Sequence, residues 1–188
     1  MNEKLHLKIR AIARDLFMAV GYESVGMREI AAALGLQPTQ IYRLNLTKVD
    51  ILAEVIIELN TKVIDLLPAL LKSVTGKTSL ERTCSYLLML YRIDIEHIKL
   101  RSVGAMYGWS WNQRYESIVV AQVKQLLAPI AAWLAEDGYD DLPARCYGIW
   151  SLYYVGYRRA VIQGCDAQEC LNEIQPSLKI LLQTAHKH

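Results

Sequence analysis

The stretch MREIAAALGLQPTQIYRLNLTK, residues 27–48, is where the organisation of this chain is most legible. Ile30, Ala31, Leu34, Leu36, Ile41 and Leu44 recur at helical spacing on both sides of Gly35, the pattern of two short helices sharing one small core. Gly35 stands one step past the last apolar residue of the first helix, where a left-handed residue ends a helix at least cost. Ala31 is small enough for a second helix to cross closely. Pro38 sits where that helix begins, because its missing N–H is unpaired in a first turn anyway and its fixed φ is already helical. Two helices joined by so tight a turn form a helix-turn-helix, the unit that lays its second helix in the DNA major groove.

With Ile41 and Leu44 turned inward, Gln37, Thr39, Gln40, Tyr42 and Arg43 are left on the outer face, and all can exchange hydrogen bonds with DNA. No acidic residue lies between Glu29 and Asp50. A solvated surface helix more often mixes both charges, so the absence of carboxylates suits a polyanionic partner. An ordinary helical hairpin with a polar face shares the same pattern. Arg28, in the first turn of the preceding helix, can join a phosphate contact there, since Gly26 is a weak cap that leaves first-turn N–H groups open.

Residues 8–52, KIRAIARDLFMAVGYESVGMREIAAALGLQPTQIYRLNLTKVDIL, resemble the N-terminal domain of TetR-family transcriptional regulators. The matching positions are Ala13, Leu16-Phe17, Gly21-Tyr22, the run Met27-Arg28-Glu29-Ile30-Ala31, Gly35, Tyr42 and Lys48. The resemblance implies an all-α chain: a three-helix helix-turn-helix DNA-binding domain over residues 1–47, then a larger helical effector-binding and dimerisation domain over 48–188. It implies double-stranded operator DNA as a partner, a phosphate contact at Lys48, and a homodimer formed through the last two long helices. Three positions depart from the family pattern. Leu44-Asn45 replace a His or Tyr followed by Phe, Val25-Gly26 replace Thr and Ser, and Val49 replaces a frequent Glu. The first two changes each remove an expected phosphate contact, at Leu44 and at Val25.

Composition sets the outer limits. At 188 residues and 53% hydrophobic content the chain can bury a sizeable core, and its net charge is only +2. The charge is uneven: residues 1–48 hold seven Lys or Arg against four Asp or Glu, the remainder fourteen against fifteen. A small positive excess at the helix-turn-helix end fits binding DNA through one face. Lys4, Lys8, Arg10 and Arg14 break every apolar run near the N-terminus, so no secretory signal or membrane span is expected there, and the chain reads as cytoplasmic. Cys84, Cys146, Cys165 and Cys170 form no C-x-x-C pair and have no His at ligand spacing. They read as buried free thiols, with no metal site and no cofactor. Catalytic signatures are missing: there is no G-x-S-x-G, H-E-x-x-H or phosphate-binding glycine loop, and no enzyme is expected.

Along the chain, Lys4–Val20 is an amphipathic helix ended by Gly21, with Phe17 as a core plug. Thr47 caps a long helix from Lys48 that runs to Pro68. Further helices are expected at Ser79–His97, Lys99–Tyr107, Gln113–Ala135, Leu142–Gln163 and Asp166–Ala185. The segment from Tyr147 to Tyr157 is apolar nearly all round, which calls for burial on both faces, one of them against a second subunit.

Three clusters are candidate contacts for a small, mostly apolar or aromatic effector: Tyr86, Met89 and His97; Met106, Trp109, Trp111 and Tyr115; and Tyr147, Trp150, Tyr154 and Arg158. His97 and Arg158 are the polar anchors. The function expected is a ligand-responsive transcriptional regulator, a repressor released by its effector. The alternative is a helical dimeric interaction or ligand-sensing protein with weakened DNA binding, motivated by Leu44-Asn45.

Overall fold

The computed structural model describes residues 2–183; the side chains of Asn2 and Tyr42 lie outside the described set. Among the described residues there are nine α-helices, one short 3-10 turn and no strand. In order they are α1 (Asn2–Val20), α2 (Met27–Ala33), α3 (Pro38–Tyr42), α4 (Lys48–Ser73), α5 (Ser79–Glu96), α6 (Ile98–Tyr107), the turn Gly108–Ser110, α7 (Gln113–Glu136), α8 (Leu142–Gln163) and α9 (Ala167–Leu181). The all-α class and the expected helices are therefore present, most ends shifting by at most two residues, while α9 stops at Leu181 rather than Ala185. Residues 184 and 185, expected to end the last helix, lie outside the described residues.

One boundary differs more. The long helix was expected to stop at Pro68, yet α4 continues to Ser73 with the proline inside it. A proline removes one donor and leaves one carbonyl open a turn earlier. Pro68 is on the exposed side of its helix, where water can satisfy that carbonyl. Pro129 in α7 and Pro176 in α9 are accommodated within helices too.

The residues group into two compact units, one of Met1–Lys62 with His97–Gln122, the other of Val63–Glu96 with Val123 onward. In the first, Ile9, Ala13 and Phe17 of α1, Ile30 and Ala31 of α2, Ile41 of α3, Ile51, Leu52, Val55, Ile56 and Leu59 of α4, and Leu100 of α6 share one core. Val25 fills that core as well, at 1% exposure, which accounts for an apolar residue where a polar one was the family norm. Gly104 lets α6 cross α4 closely, since a Cβ there would lie 2.7 Å from the Ile56 side chain. Asn60 and Gln122, both buried, hydrogen-bond at 3.0 Å, and the Gln122 amide also donates to the Ile57 carbonyl.

The second unit packs α8 and α5 against α9. Tyr91 stacks on Tyr153 with centroids 4.3 Å apart, and its hydroxyl donates to the Tyr153 carbonyl at 2.9 Å. Gly156 makes room for this, because a Cβ there would meet the Tyr91 hydroxyl and lie 2.6 Å from the Cys170 carbonyl. Gly164, at φ +68°, ends α8, and Asp166 opens α9 with a reciprocal cap in which each of Asp166 and Glu169 accepts the other's N–H at 2.8 Å.

Among the described residues one face of α8 is buried, through Cys146, Ile149, Tyr153, Gly156, Tyr157 and Ala160. Its opposite face leaves Tyr147 74% and Ile162 63% exposed. Of the four thiols, Cys84, Cys146 and Cys170 are buried and Cys165 is half-buried, all of them free. Among the described residues α7 alone is long and apolar enough to cross a membrane by length and composition.

Candidate nucleic-acid interface

The helix-turn-helix is built as its residues dictate. Gly35 takes φ +67°, and the Leu36 N–H then donates back to the Ala31 carbonyl at 2.9 Å, closing α2. Ile30, Ala31 and Ile41 are fully buried, so α2 and α3 meet over one seam. Pro38 opens α3, preceded by Gln37 in extended geometry. Both helices are capped by the residue three places on: the Glu29 carboxylate accepts the Gly26 N–H at 2.8 Å, and the Gln40 side-chain oxygen accepts the Gln37 N–H at 2.8 Å. The N–H groups of the first α2 turn, beyond that cap, have no partner within their helix.

This packing leaves Arg28, Gln37, Thr39, Gln40 and Arg43 exposed, and Pro38 half-buried. Gln40 is thus turned toward the start of α3 by its cap, with its amide nitrogen still available to donate. The side chain of Tyr42 lies outside the described residues. Leu44 packs against the core, and Asn45 takes the left-handed conformation at φ 52°. That φ explains the residue: asparagine is among the few non-glycine residues that enter this region readily. Thr47 and Asp50 cap α4, the Asp50 N–H donating to the Thr47 hydroxyl at 3.1 Å and the Thr47 N–H to the Asp50 carboxylate at 2.8 Å.

Lys48, the first residue of α4, is half-buried, and its ammonium stands 4.0 Å from the centroid of the Tyr22 ring. Tyr22 is 5% exposed and meets Phe17 edge-on and Tyr107 at a tilt, each with centroids 5.0 Å apart. Burial first, then the neighbouring Tyr107 and Glu23, push the Tyr22 phenol up to about 12, so the ring stays neutral. The sequence reading missed Tyr107 and Glu23 here; they are 84 positions apart and no local pattern links them.

Behind this face α1 is clamped to α4. Glu58 receives the Arg10 guanidinium at 2.7 Å, Arg14 at 2.9 Å and the Lys62 ammonium at 2.7 Å. Burial works to raise the Glu58 carboxyl, but the Lys62 hydrogen bond and the charges of Lys62, Arg10 and Arg14 outweigh it and hold the group below its usual range.

The candidate effector residues fall into both units. In the second unit Tyr86 is fully buried and donates its hydroxyl to the Leu126 carbonyl at 2.9 Å, Met89 is half-buried, Trp150 meets Tyr154 edge-on at 5.2 Å, and Tyr147 and Arg158 are exposed. In the first, His97 precedes α6, Trp111 packs on the core, and Tyr115 is buried with its hydroxyl on Glu54 at 3.2 Å. Met106 and Trp109 are 61% and 97% exposed. An open apolar depression of about 450 Å³ lies elsewhere, between α8 and α9, lined by Gly148, Ser151, Leu152, Val155, Ser177, Ile180 and Leu181.

Comparison with known proteins supports the same reading. Residues 9–55 match the family described as bacterial regulatory proteins, tetR family. No curated protein matches the chain by sequence. Among solved structures it is similar to a bacterial regulatory protein of the tetR family from Rhodococcus RHA1, with 21% identity, 96% of this chain and 97% of the other covered, and a TM-score of 0.67. A transcriptional regulator of the TetR/AcrR family from Thermobifida fusca gives 17% identity, 97% and 100% coverage and a TM-score of 0.65. Another transcriptional regulator from Rhodococcus sp. Rha1 gives 15% identity, 95% and 96% coverage and a TM-score of 0.69. The N-terminal helix-turn-helix thus matches the TetR-family model, and the fold that carries it is similar to that of solved TetR-family transcriptional regulators.

Proposed function

We propose that this chain is a ligand-responsive repressor. It acts in the cytoplasm as a homodimer on double-stranded operator DNA and is released by a small, mostly apolar or aromatic effector. The observation that carries the DNA-binding half is the outer face of α3: Gln37, Thr39, Gln40 and Arg43 stand exposed over a sealed core, with no carboxylate between Glu29 and Asp50. Arg28 and Lys48 flank that face and supply phosphate contacts, and Tyr42 a third. Residues 1–47 form the reading head, and residues 48–188 carry dimerisation and effector binding.

The homodimer reading draws on α8 and α9, where Tyr147, Val155, Ile162 and Ile180 are exposed apolar side chains, Val155 and Ile180 lining the α8/α9 depression. An apolar patch of this kind is covered in a stable soluble protein. Met89 and Trp150, half-buried, and the exposed Tyr154 beside Trp150 are the effector contacts best placed.

Gel-shift of the purified protein on DNA flanking its own gene, with selection from a random duplex pool, tests the reading. A retarded complex that weakens steeply with salt is expected. A well-folded dimer that shifts no DNA at low salt would favour the second reading, an interaction or ligand-sensing protein with weakened DNA binding. Leu44 in the core, in place of a polar phosphate contact, is the observation on its side.

A further inference from the structure

Lysine is a point charge on a four-carbon stem, and much of what it gains from a phosphate is offset by the rotamer freedom it gives up. Here that freedom is already restricted. Lys48 stands in the first turn of α4, fixed by the Thr47–Asp50 cap, and its ammonium lies 4.0 Å from the Tyr22 centroid, within range of attraction to the ring face. A cation over a ring has N–H groups turned away from that ring, and these remain to meet an oxyanion.

The ring itself is held by two aromatic neighbours. Phe17 of α1 meets it edge-on with centroids 5.0 Å apart, and Tyr107 packs on it at a tilt, also at 5.0 Å. Tyr107 is the last residue of α6, and its hydroxyl donates to Glu23 at 2.7 Å, next in sequence to Tyr22. The α6 end is anchored further by the Lys99 ammonium on the Met18 carbonyl at 3.4 Å.

We infer that Tyr107 is a positioning residue for DNA binding: by walling the Tyr22 ring it sets where the Lys48 ammonium stands before DNA arrives. This rests on the reading of Lys48 as a phosphate contact. Withdrawing Tyr107 frees the ring, and Lys48 then pays its full ordering cost on the DNA.

Two measurements on the full chain separate this inference from the reading beneath it. The first is NMR of reductively ¹³C-methylated lysines, with the Lys48 signal assigned by its loss in Lys48→Ala. A ring-current upfield shift is expected, abolished in Tyr22→Leu, reduced in Tyr107→Ala and retained in Tyr107→Phe, which keeps the ring.

The second is anisotropy of a labelled random-sequence duplex across a salt series. Lys48→Ala lowers the salt slope by about one for each subunit in contact. Tyr107→Ala keeps that slope and binds about two- to five-fold more weakly, and the loss vanishes in a Lys48→Ala background. Thermal melts confirm that each variant is folded, and Tyr107→Leu, which keeps apolar bulk but loses the ring, stands in if Tyr107→Ala is not. A Lys48 signal unmoved by Tyr107→Ala, equal losses in both backgrounds, or tighter binding overturns the positioning role and leaves the phosphate reading intact. A slope untouched by Lys48→Ala overturns the phosphate reading, and the inference with it.

Discussion

Gln40 does two things at once at the scale of single residues. Its side-chain oxygen caps α3 on the Gln37 N–H, while Arg43, three residues on, shares its helix face. From a helix in the major groove, glutamine pairs with adenine and arginine with guanine, each worth about 1–3 kcal/mol of discrimination. Gln40→Ala and Arg43→Ala are therefore expected to flatten preference at particular operator positions, read by selection from a random pool. Arg43→Ala also lowers nonspecific affinity through its lost charge. Recovery of the wild-type motif by both variants would move base recognition to Gln37 and Thr39. Asn45 is a second case, since its φ of 52° suits glycine better than any side chain. Asn45→Ala is expected to cost about 1 kcal/mol and Asn45→Gly to be neutral or stabilising, both measured by urea denaturation. Equal midpoints for the two would mean that the left-handed conformation carries no strain.

Between elements, α1 and α4 share an electrostatic clamp beside their common apolar core. Glu58 is held ionised by Arg10, Arg14 and Lys62 around it, with its carboxyl below the usual range. A group whose folded pKa is depressed contributes stability above its unfolded pKa and loses it as pH falls through the folded one. The wild type should accordingly lose denaturation midpoint as pH drops below the ordinary carboxylate range. Glu58→Gln should start lower at neutral pH and converge with the wild type in acid. Other carboxylates titrate in the same window, so the informative quantity is the difference between the two curves. A constant difference from neutral to acid pH would show that the clamp does not depend on the Glu58 charge.

On the scale of the molecule, α8 and α9 carry exposed apolar side chains, and the proposed homodimer rests on them. Val155 is 52% and Ile180 69% exposed, and both line the depression between the two helices. The doubly substituted Val155→Asp, Ile180→Asp chain should sediment as a monomer with unchanged helical circular dichroism. It should also bind DNA far more weakly, because one reading head no longer holds the other near its half-site. A variant that keeps the wild-type mass would place the subunit contact on another face.

The reach of the sequence followed from which forces are local. The helix-turn-helix was legible because Gly35, Pro38 and Thr47 act within a few residues of themselves, and because Ile30, Ala31 and Ile41 announce their face by period alone. The ends of α5 to α8 and the start of α9 came from the same arithmetic of glycines, caps and apolar spacing. Pro68 misled, because whether a proline ends a helix depends on what lies across the open carbonyl, and only the folded chain decides that. The tight meetings of Gly104 with Ile56 and of Gly156 with Tyr91, and the stack that places Lys48 on Tyr22 beside Tyr107, join residues tens of positions apart. A contact of that range leaves no period in the sequence. Tertiary structure alone also sorted the aromatic residues, turning Tyr86 and Tyr115 into bonded core and leaving Trp109 almost wholly in solvent. Helical spacing says that a side chain lies on an apolar face, but which neighbour covers that face is settled by packing.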